Sequence, residues 1–369
     1  MKWAWRIGRF FGIDVSIHAT FWLLLVFVGW SHWLQTQTAA GVIEGVAFVL
    51  TIFLCVLLHE YGHALTARRY GIGTKDIILL PIGGVARLEK IPDKPIQEFW
   101  VALAGPAVNV VIAAALLGWL MVSRTLAPAE QVTVTGGPFL ERLLVTNVFL
   151  VVFNLLPAFP MDGGRVLRAL LAMKLDYVRA TRIAALLGQA VAVVFGIIGL
   201  FSNPLLILVA VFVWVGASQE AAAVQMRSAI GGVPVSLAMV REFRTLAPSD
   251  DLARAVQLIL TGSQHDFPVV AGDQVTGILS RDALLLALAQ QPQHTPVDRV
   301  MTREFVTADA QEPLEAAVQR LQGTPCHTMP VLHHGKLVGL ITAENIGEFV
   351  MIQAALHQRG AQIVAQPPH

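Results

Sequence analysis

The chain has 369 residues, of which 55% are hydrophobic and only 14% are charged. Soluble domains carry about 25% charged residues, so part of this chain is expected to lie in a membrane. The net charge of +1 argues against a nucleic-acid partner, which requires a basic surface. Cys55 and Cys326 stand in regions of different character, so neither a disulfide nor a cysteine zinc site is expected.

Six apolar stretches are long enough to be predicted as transmembrane helices. The basic N-terminus before the first of them is also typical of a signal peptide. Residues 38–40 form only a poor cleavage site, however, and more spans follow, so an uncleaved helix is predicted. His18, at the start of the first span, is predicted to be an interface residue. The predicted spans are 17–35, 42–68, 98–122, 139–158, 181–201 and 204–224.

The distribution of Lys and Arg predicts the orientation of these spans. The stretches 68–94 and 165–182 are rich in both residues, whereas 36–41 and 202–204 contain neither. The positive-inside rule therefore places the N-terminus, both basic loops and the C-terminal region in the cytoplasm. An even number of spans agrees with that arrangement. The sequence predicts a multi-pass protein of the cell's inner, cytoplasmic membrane.

The second span ends in a motif with the side chains of a metal site, His59-Glu60-Tyr61-Gly62-His63. On a helix, His59 and His63 share one face and can bind one cation, and Glu60 borders that face, within reach of an attacking water. Ionisable groups at the edge of hydrocarbon are costly, which favours a functional role. The alternative is two interfacial histidines beside a snorkelling glutamate.

A third ligand is expected from Asp162, which follows the fourth span directly. The second and fourth spans both run towards the cytoplasm, so Asp162 is predicted at the depth of His59 and His63. Three protein ligands leave one tetrahedral position open for water. The alternative is that Asp162 belongs to an ordinary cytoplasmic turn with the two glycines that follow it.

Two further stretches have a distinct composition. Residues 80–87 are too apolar for a plain loop and too rich in Gly and Pro for a helix. They are predicted to form a short β-hairpin or re-entrant segment whose free edge, at Gly83 and Gly84, can bind an extended peptide. A simple amphipathic turn is the alternative. Asn109, early in the third span, is expected to hydrogen-bond across helices, with substrate binding as a second assignment.

From about residue 227 the pattern changes to short apolar runs between polar turns, and an internal repeat appears with an offset of 62 residues. Each unit is predicted to contain a strand, an amphipathic helix, two short strands and a closing helix. Repeats of this kind usually pack against each other. The matching blocks are 239–243 with 301–305, 267–270 with 329–332, and 277–280 with 339–342.

The chain resembles the site-2 protease family of intramembrane zinc metalloproteases, in its prokaryotic branch with C-terminal cystathionine-β-synthase (CBS) domains. The resemblance implies a polytopic α-helical membrane domain of about six spans with a re-entrant β-hairpin, followed by a soluble α/β pair of CBS domains. The expected domains are 1–226, 227–292 and 293–358, with a tail at 359–369. The matching motifs are 59–63, 81–86, 105–109 and 154–163.

The resemblance also implies the chemistry. His59, His63 and Asp162 would bind one Zn²⁺ per chain, which polarises the scissile carbonyl and lowers the pKa of the attacking water. Glu60 would act as general base and later as acid for the leaving amine. Asn154 matches the family's asparagine and is assigned to orienting substrate or stabilising the oxyanion, with helix-to-helix hydrogen bonding as the alternative.

The implied substrates are single-pass membrane proteins, such as membrane-bound regulators, cleaved in regulated intramembrane proteolysis. A transmembrane helix hides its carbonyls in its own hydrogen bonds and must unwind first. A peptide bound at the hairpin edge would be held in that unwound form. A homodimer through the CBS domains is a further expectation.

Paired CBS domains often hold an adenine nucleotide, and the ribose pattern of that family ends in Ser or Thr followed three residues later by Asp. Here Ser280 has Asp282 one place early, and Thr342 is followed by Asn345 at that distance. Because the pattern is imperfect, a structural or dimer-forming role is the alternative. For the whole chain the alternative is a CBS-gated transporter or channel, although residues 1–226 lack the internal repeat that is typical of transporters.

Overall fold

The computed structural model of the protein describes residues 3–90, 92, 94–124, 137–324 and 326–364. It divides into two compact units, Met1–Ala222 and Ala223–His369. Most of the predicted loop at 123–138 and the last five residues of the predicted tail lie outside the described residues.

Helices form most of the N-terminal unit. The second, third, sixth and seventh helices are long and apolar enough to cross a membrane. The predicted first and fourth spans are also helices, of 18 and 16 residues, but they are not both long and apolar enough to be counted with these four. The count of six spans therefore stays a prediction. The first seven helices are α1 Ala19–Thr36, α2 Ala39–Arg69, α3 Pro95–Ser123, α4 Phe139–Asn154, α5 Asp162–Ala172, α6 Tyr177–Phe201 and α7 Leu205–Ile230.

A four-stranded sheet accompanies these helices, in the order β1-β2-β3-β4. The predicted hairpin is present, but it is longer than the sequence suggested and pairs in parallel with an N-terminal hairpin that was not predicted. Ile13, Val15 and Ile77 pack with Tyr61 and Ala64 of α2, which anchors the sheet beside the histidine motif. The strands are β1 Ala4–Phe10, β2 Ile13–His18, β3 Thr74–Leu80 and β4 Gly83–Leu88.

His18 lies at the junction of the sheet and the first helix. It is the N-cap of α1, and its side chain accepts a hydrogen bond from the backbone N–H of Thr20. An N-cap acceptor of this kind satisfies one of the free amides of the first turn. This position gives His18 a structural role, apart from the histidine motif of α2.

Small residues allow α2 and α3 to pack closely against each other. A Cβ atom on Gly62 would stand 2.6 Å from the carbonyl oxygen of Ala104, so only glycine allows the two helices to pack at this distance. The helix α3 also packs against α4 and α5. Because α3 contacts all of these elements, it is the central helix around which both halves of the metal motif come together.

The C-terminal unit shows the predicted repeat, with one difference. Val235 and Ala238, at the start of the first repeat, are buried in the core of the second. Val297 and Met301, at the start of the second, are buried in the core of the first. Its elements are α8 Val235–Ala238, α9 Leu252–Thr261, β5 Phe267–Ala271, β6 Gln274–Leu279, α10 Arg281–Gln290, β7 Ala308–Asp309, α11 Leu314–Gln322, β8 Thr328–His333, β9 Lys336–Thr342 and α12 Ala343–Val364.

Backbone pairing shows the same exchange. Val240 pairs with Leu340, and Thr302 pairs with Ile278, which are equivalent bridges at the 62-residue offset. The exchange explains why the two repeats form one compact unit, since neither has a complete core alone.

Candidate metal centre

Three ligand atoms from two helices converge at the C-terminal part of α2. The Nε2 atoms of His59 and His63 are 3.1 Å apart, and the Asp162 Oδ2 lies 3.1 Å from the first and 3.2 Å from the second. The three residues are only 6%, 6% and 8% exposed. The two halves of the motif, far apart in the sequence, thus meet in one buried cluster.

A chain of hydrogen bonds determines which nitrogen of His59 carries the proton. Asn147 Nδ2 donates to the carbonyl of Leu143 (2.9 Å), so Asn147 Oδ1 is the acceptor for Asn109 Nδ2 at 2.8 Å. Asn109 Oδ1 is then left to accept from His59 Nδ1 at 2.6 Å. His59 therefore carries its proton on Nδ1 in the neutral form, and its Nε2 has a free lone pair.

His63 follows the same arrangement with a backbone acceptor. Its Nδ1 lies 2.7 Å from the carbonyl oxygen of Val101, which can only accept. When both histidines are neutral, two imidazole lone pairs and one carboxylate oxygen face each other. A cation between them would satisfy all three acceptors, and two histidines with one carboxylate form a zinc-type ligand set with outer-shell support. The residues present fit a zinc ion.

Asp162 is the first residue of α5, and the two glycines after it make that position available. A Cβ on Gly163 would stand 2.2 Å from the Leu156 carbonyl oxygen, and one on Gly164 would stand 2.6 Å from the Phe159 backbone nitrogen. The Oδ2 atom of Asp162 lies within 3.2 Å of the Nε2 atoms of both histidines. The Asp-Gly-Gly stretch therefore begins a helix and presents a carboxylate to both imidazoles.

Glu60 lies between this cluster and the sheet. Its Oε2 accepts a hydrogen bond of 3.0 Å from the backbone N–H of Ala86 on β4. A Cβ on Gly84 would stand 2.6 Å from Glu60 Cγ, so glycine is required where the strand passes the carboxylate. Gly83 has a φ of +140°, a conformation that favours glycine. Both predicted strand glycines are thus needed, and Gly84 directly contacts Glu60.

The structure corrects one assignment and leaves another as a prediction. Asn109 is fully buried behind His59, so its side chain orients a ligand and is not open to a substrate. Asn154 is half-buried at the end of α4, and its side chain forms no hydrogen bond with any described residue, so its role stays a prediction.

Two partners in the cluster were missed by the sequence reasoning, Asn147 and the carbonyl of Val101. Asn147 could have been found as a polar residue inside an apolar span, since such residues usually hydrogen-bond across helices. A backbone carbonyl leaves no sequence signal.

A cleft of about 490 Å³ lies within the C-terminal unit. All four residues predicted to bind a nucleotide, Ser280, Asp282, Thr342 and Asn345, line this cleft. Ser280 caps α10 through Ala283 N–H, and Thr342 Oγ1 accepts from the Asn345 N–H at the start of α12. The volume is within the range of small-molecule sites.

Comparisons with known proteins agree with this architecture. The sequence model of peptidase family M50 matches residues 47–136 and 125–195, and that of the CBS domain matches 236–290 and 297–351. A zinc metalloprotease of Methanocaldococcus jannaschii is 32% identical over 94% of this chain and 96% of its own length. Stage IV sporulation protein FB of Bacillus subtilis is 30% identical, covering 52% of this chain and 60% of its own.

Among solved structures, the site-2 protease from Methanocaldococcus jannaschii is 38% identical, covering 59% of this chain and 95% of that one, with a TM-score of 0.44. Apolar helices and a buried His-His-Asp cluster, together with the family model and the 32% identical zinc metalloprotease, define a membrane zinc metalloprotease. The chain belongs to peptidase family M50, the site-2 proteases, and carries a tandem pair of CBS domains. Family membership decides against the transporter alternative.

Proposed function

We propose that this metalloendopeptidase cleaves transmembrane segments of single-pass membrane proteins, including membrane-bound regulators, in the cytoplasmic membrane. The observation that carries the proposal is the position of Glu60, which lies on the helix of both histidines and accepts a hydrogen bond from the strand β4. In this proposal a base, three ligand atoms and a peptide-pairing surface lie together in one apolar, helical unit. An extended substrate at the strand would lie beside the reacting groups.

In this mechanism His59, His63 and Asp162 would hold the zinc ion. Asn109 and the Val101 carbonyl accept from the two Nδ1 atoms, which leaves both Nε2 lone pairs for the metal when the imidazoles are neutral. Zinc bound there supplies the Lewis acid that polarises the scissile carbonyl and makes the attacking water more acidic. Glu60 takes the proton of that water and later passes it to the leaving amine. Asn154 is retained as a candidate for orienting the substrate carbonyl.

The edge of β4 supports recognition of an unwound peptide. Among the described strands β4 pairs with β3 alone, and its Ala86 N–H donates a hydrogen bond to Glu60. A substrate strand that pairs with β4 would compete for this N–H. Binding would then release a carboxylate oxygen of Glu60 at the moment when the base is needed, and would hold the substrate carbonyls outside their helix.

The basic loops favour a cytoplasmic location of both termini, so the site would open near the cytoplasmic face of the membrane. Regulators released from the membrane by this cleavage would enter the cytoplasm.

The proposal is tested with purified, zinc-loaded protein reconstituted in lipid vesicles and a single-pass substrate. Mass spectrometry is expected to place the cut inside the apolar segment. An Asn-Gly pair placed in that segment is expected to increase the rate about tenfold relative to an all-leucine segment, because it lowers the cost of unwinding. Cleavage confined to parts of the substrate outside the membrane would contradict the proposal.

We further propose that the C-terminal cleft binds an adenine nucleoside that is neutral or positively charged, such as S-adenosylmethionine, and discriminates against polyphosphates. The carboxylates of Asp282 and Glu344 occupy the first turns of α10 and α12, where helix N-termini would otherwise attract phosphate. The cleft is lined by five acidic residues and one arginine, namely Glu242, Asp266, Asp282, Glu344, Glu348 and Arg281.

Calorimetric titration of the full-length protein with adenosine, S-adenosylmethionine and ATP tests this ligand class. ATP is expected to bind at least about tenfold more weakly than S-adenosylmethionine, with a difference that shrinks at high salt. The double substitution Asp282→Asn and Glu344→Gln should improve ATP binding. Tighter binding of ATP would overturn the charge argument, and no heat with any of the three would favour a structural role.

A further inference from the structure

Apart from the metal ligands, the N-terminal unit holds a second buried group of charges. Arg168 on α5 donates from Nε (2.7 Å) and Nη2 (2.5 Å) to Glu98 Oε1 on α3, and from Nη1 (2.5 Å) to Glu220 Oε1 on α7. Arg168 and Glu98 are only 2% and 3% exposed. The guanidinium also lies 4.9 Å from the ring centre of Phe159 and 5.1 Å from that of Tyr177. One side chain therefore joins three helices.

A contribution to stability does not by itself explain why Arg168 and its partner carboxylates are buried. Burying an ion costs several kcal/mol, and buried ion pairs can often be replaced by apolar residues without loss of stability. Here one guanidinium faces two carboxylates, of which Glu98 is buried and Glu220 is partly exposed. What such a group does provide is a defined geometry, since a guanidinium forms directed hydrogen bonds to each carboxylate.

The ion pair of Arg168 and Glu98 connects the two helices that present or orient metal ligands. Arg168 follows Asp162 by six residues on the same short helix, a rise of about 9 Å. Glu98 stands one turn before Val101, whose carbonyl orients His63. The Arg168–Glu98 pair therefore ties the helix that presents Asp162 to the helix that orients a histidine ligand. The start of α5 has no side-chain cap, so its position depends on such tertiary contacts.

We propose that Arg168 is a positioning residue, which holds α5 against α3 and thereby sets the place of Asp162 relative to the two imidazoles. The inference rests on the proposed metal function of Asp162. Ligand groups must be held within about 0.5 Å of their working geometry, so a small shift of α5 is enough to weaken the metal site. Glu220 adds a second anchor on α7.

The test uses metal binding as its readout, independent of proteolysis. In Arg168→Met the zinc affinity, measured by competition with a chelator, is expected to fall about 10- to 100-fold. The visible absorption spectrum of the cobalt-substituted protein should change, because the carboxylate ligand moves. The double variant Arg168→Met with Glu98→Gln removes both buried charges together, so it is expected to fold even if the single variant does not.

The matched control is Arg142→Met. Arg142 on α4 is also a buried arginine that joins two helices, 3.5 Å from Glu44 and over the ring of Phe48 on α2. Its partner Glu44 stands about 22 Å along α2 from His59. The zinc affinity and cobalt spectrum of this variant should match the unmodified protein. Unchanged metal binding in the folded double variant would overturn the proposal. If unmodified protein binds cobalt but cleaves no membrane substrate, the proposed function fails while the positioning role is still measured.

Discussion

Replacement of Glu60 by glutamine is expected to reduce cleavage of a co-expressed membrane substrate by about 10²- to 10⁴-fold, the usual contribution of a general base. The substitution keeps the size of the side chain and an oxygen that can still accept from the Ala86 N–H. It removes only the ability to take a proton. Protein level and zinc content should therefore stay normal, which is measured by immunoblotting and by metal analysis of detergent-purified protein.

The control for this variant is His63→Ala, which removes a ligand atom and leaves Glu60 in place. It is expected to lose both cleavage and zinc, from about one ion per chain in the unmodified protein. The two variants thus separate loss of the base from loss of the metal. Undiminished cleavage by Glu60→Gln would remove the assignment of Glu60. Full zinc content in His63→Ala would remove that of His63.

The substitution Gly105→Ala is expected to destroy the metal site although it changes no ligand. A Cβ at this position would stand 2.2 Å from the Nε2 of His63 and 2.6 Å from that of His59. Alanine favours a helix by about 1 kcal/mol over glycine, so α3 itself should gain intrinsic stability. The imidazoles, however, would have to move apart. Zinc affinity should fall at least about 100-fold, beyond the usual effect of outer-shell changes.

Gly118→Ala on the same helix is the matched control. A Cβ at Gly118 meets no described atom within 4 Å, so the variant should bind zinc and cleave substrate as the unmodified protein does. Zinc affinity of both variants is measured by chelator competition, with circular dichroism to confirm equal helix content. Normal zinc binding by Gly105→Ala would mean that the histidines do not converge at α3 as described.

These expectations share one structural cause. The helix α3 carries no metal ligand, yet it supplies Asn109 for one histidine, the Val101 carbonyl for the other, and the space at Gly105 into which both rings project. Outer groups of this kind set the tautomer and direction of a ligand, and losing them weakens a site measurably. The orientation of both histidines on α2 therefore depends on α3.

The sequence by itself was sufficient for features that depend on local pattern. Apolar runs of the right length predicted the long helices, and the four-residue spacing of His59 and His63 predicted a shared helix face. The constant offset of 62 residues predicted the paired C-terminal repeats. Each of these signals lies within one segment or between two copies of it, so neighbouring residues alone carry the information.

Only the tertiary structure decided the features that join distant segments. The parallel pairing of β2 with β3, the exchange of opening segments between the CBS repeats, and the relay from Asn147 to His59 each link residues that no local pattern relates. The same holds for Gly105, which is needed because two side chains of another helix occupy its space. These residues are selected by contacts between segments that are distant in the sequence and close together in the folded protein.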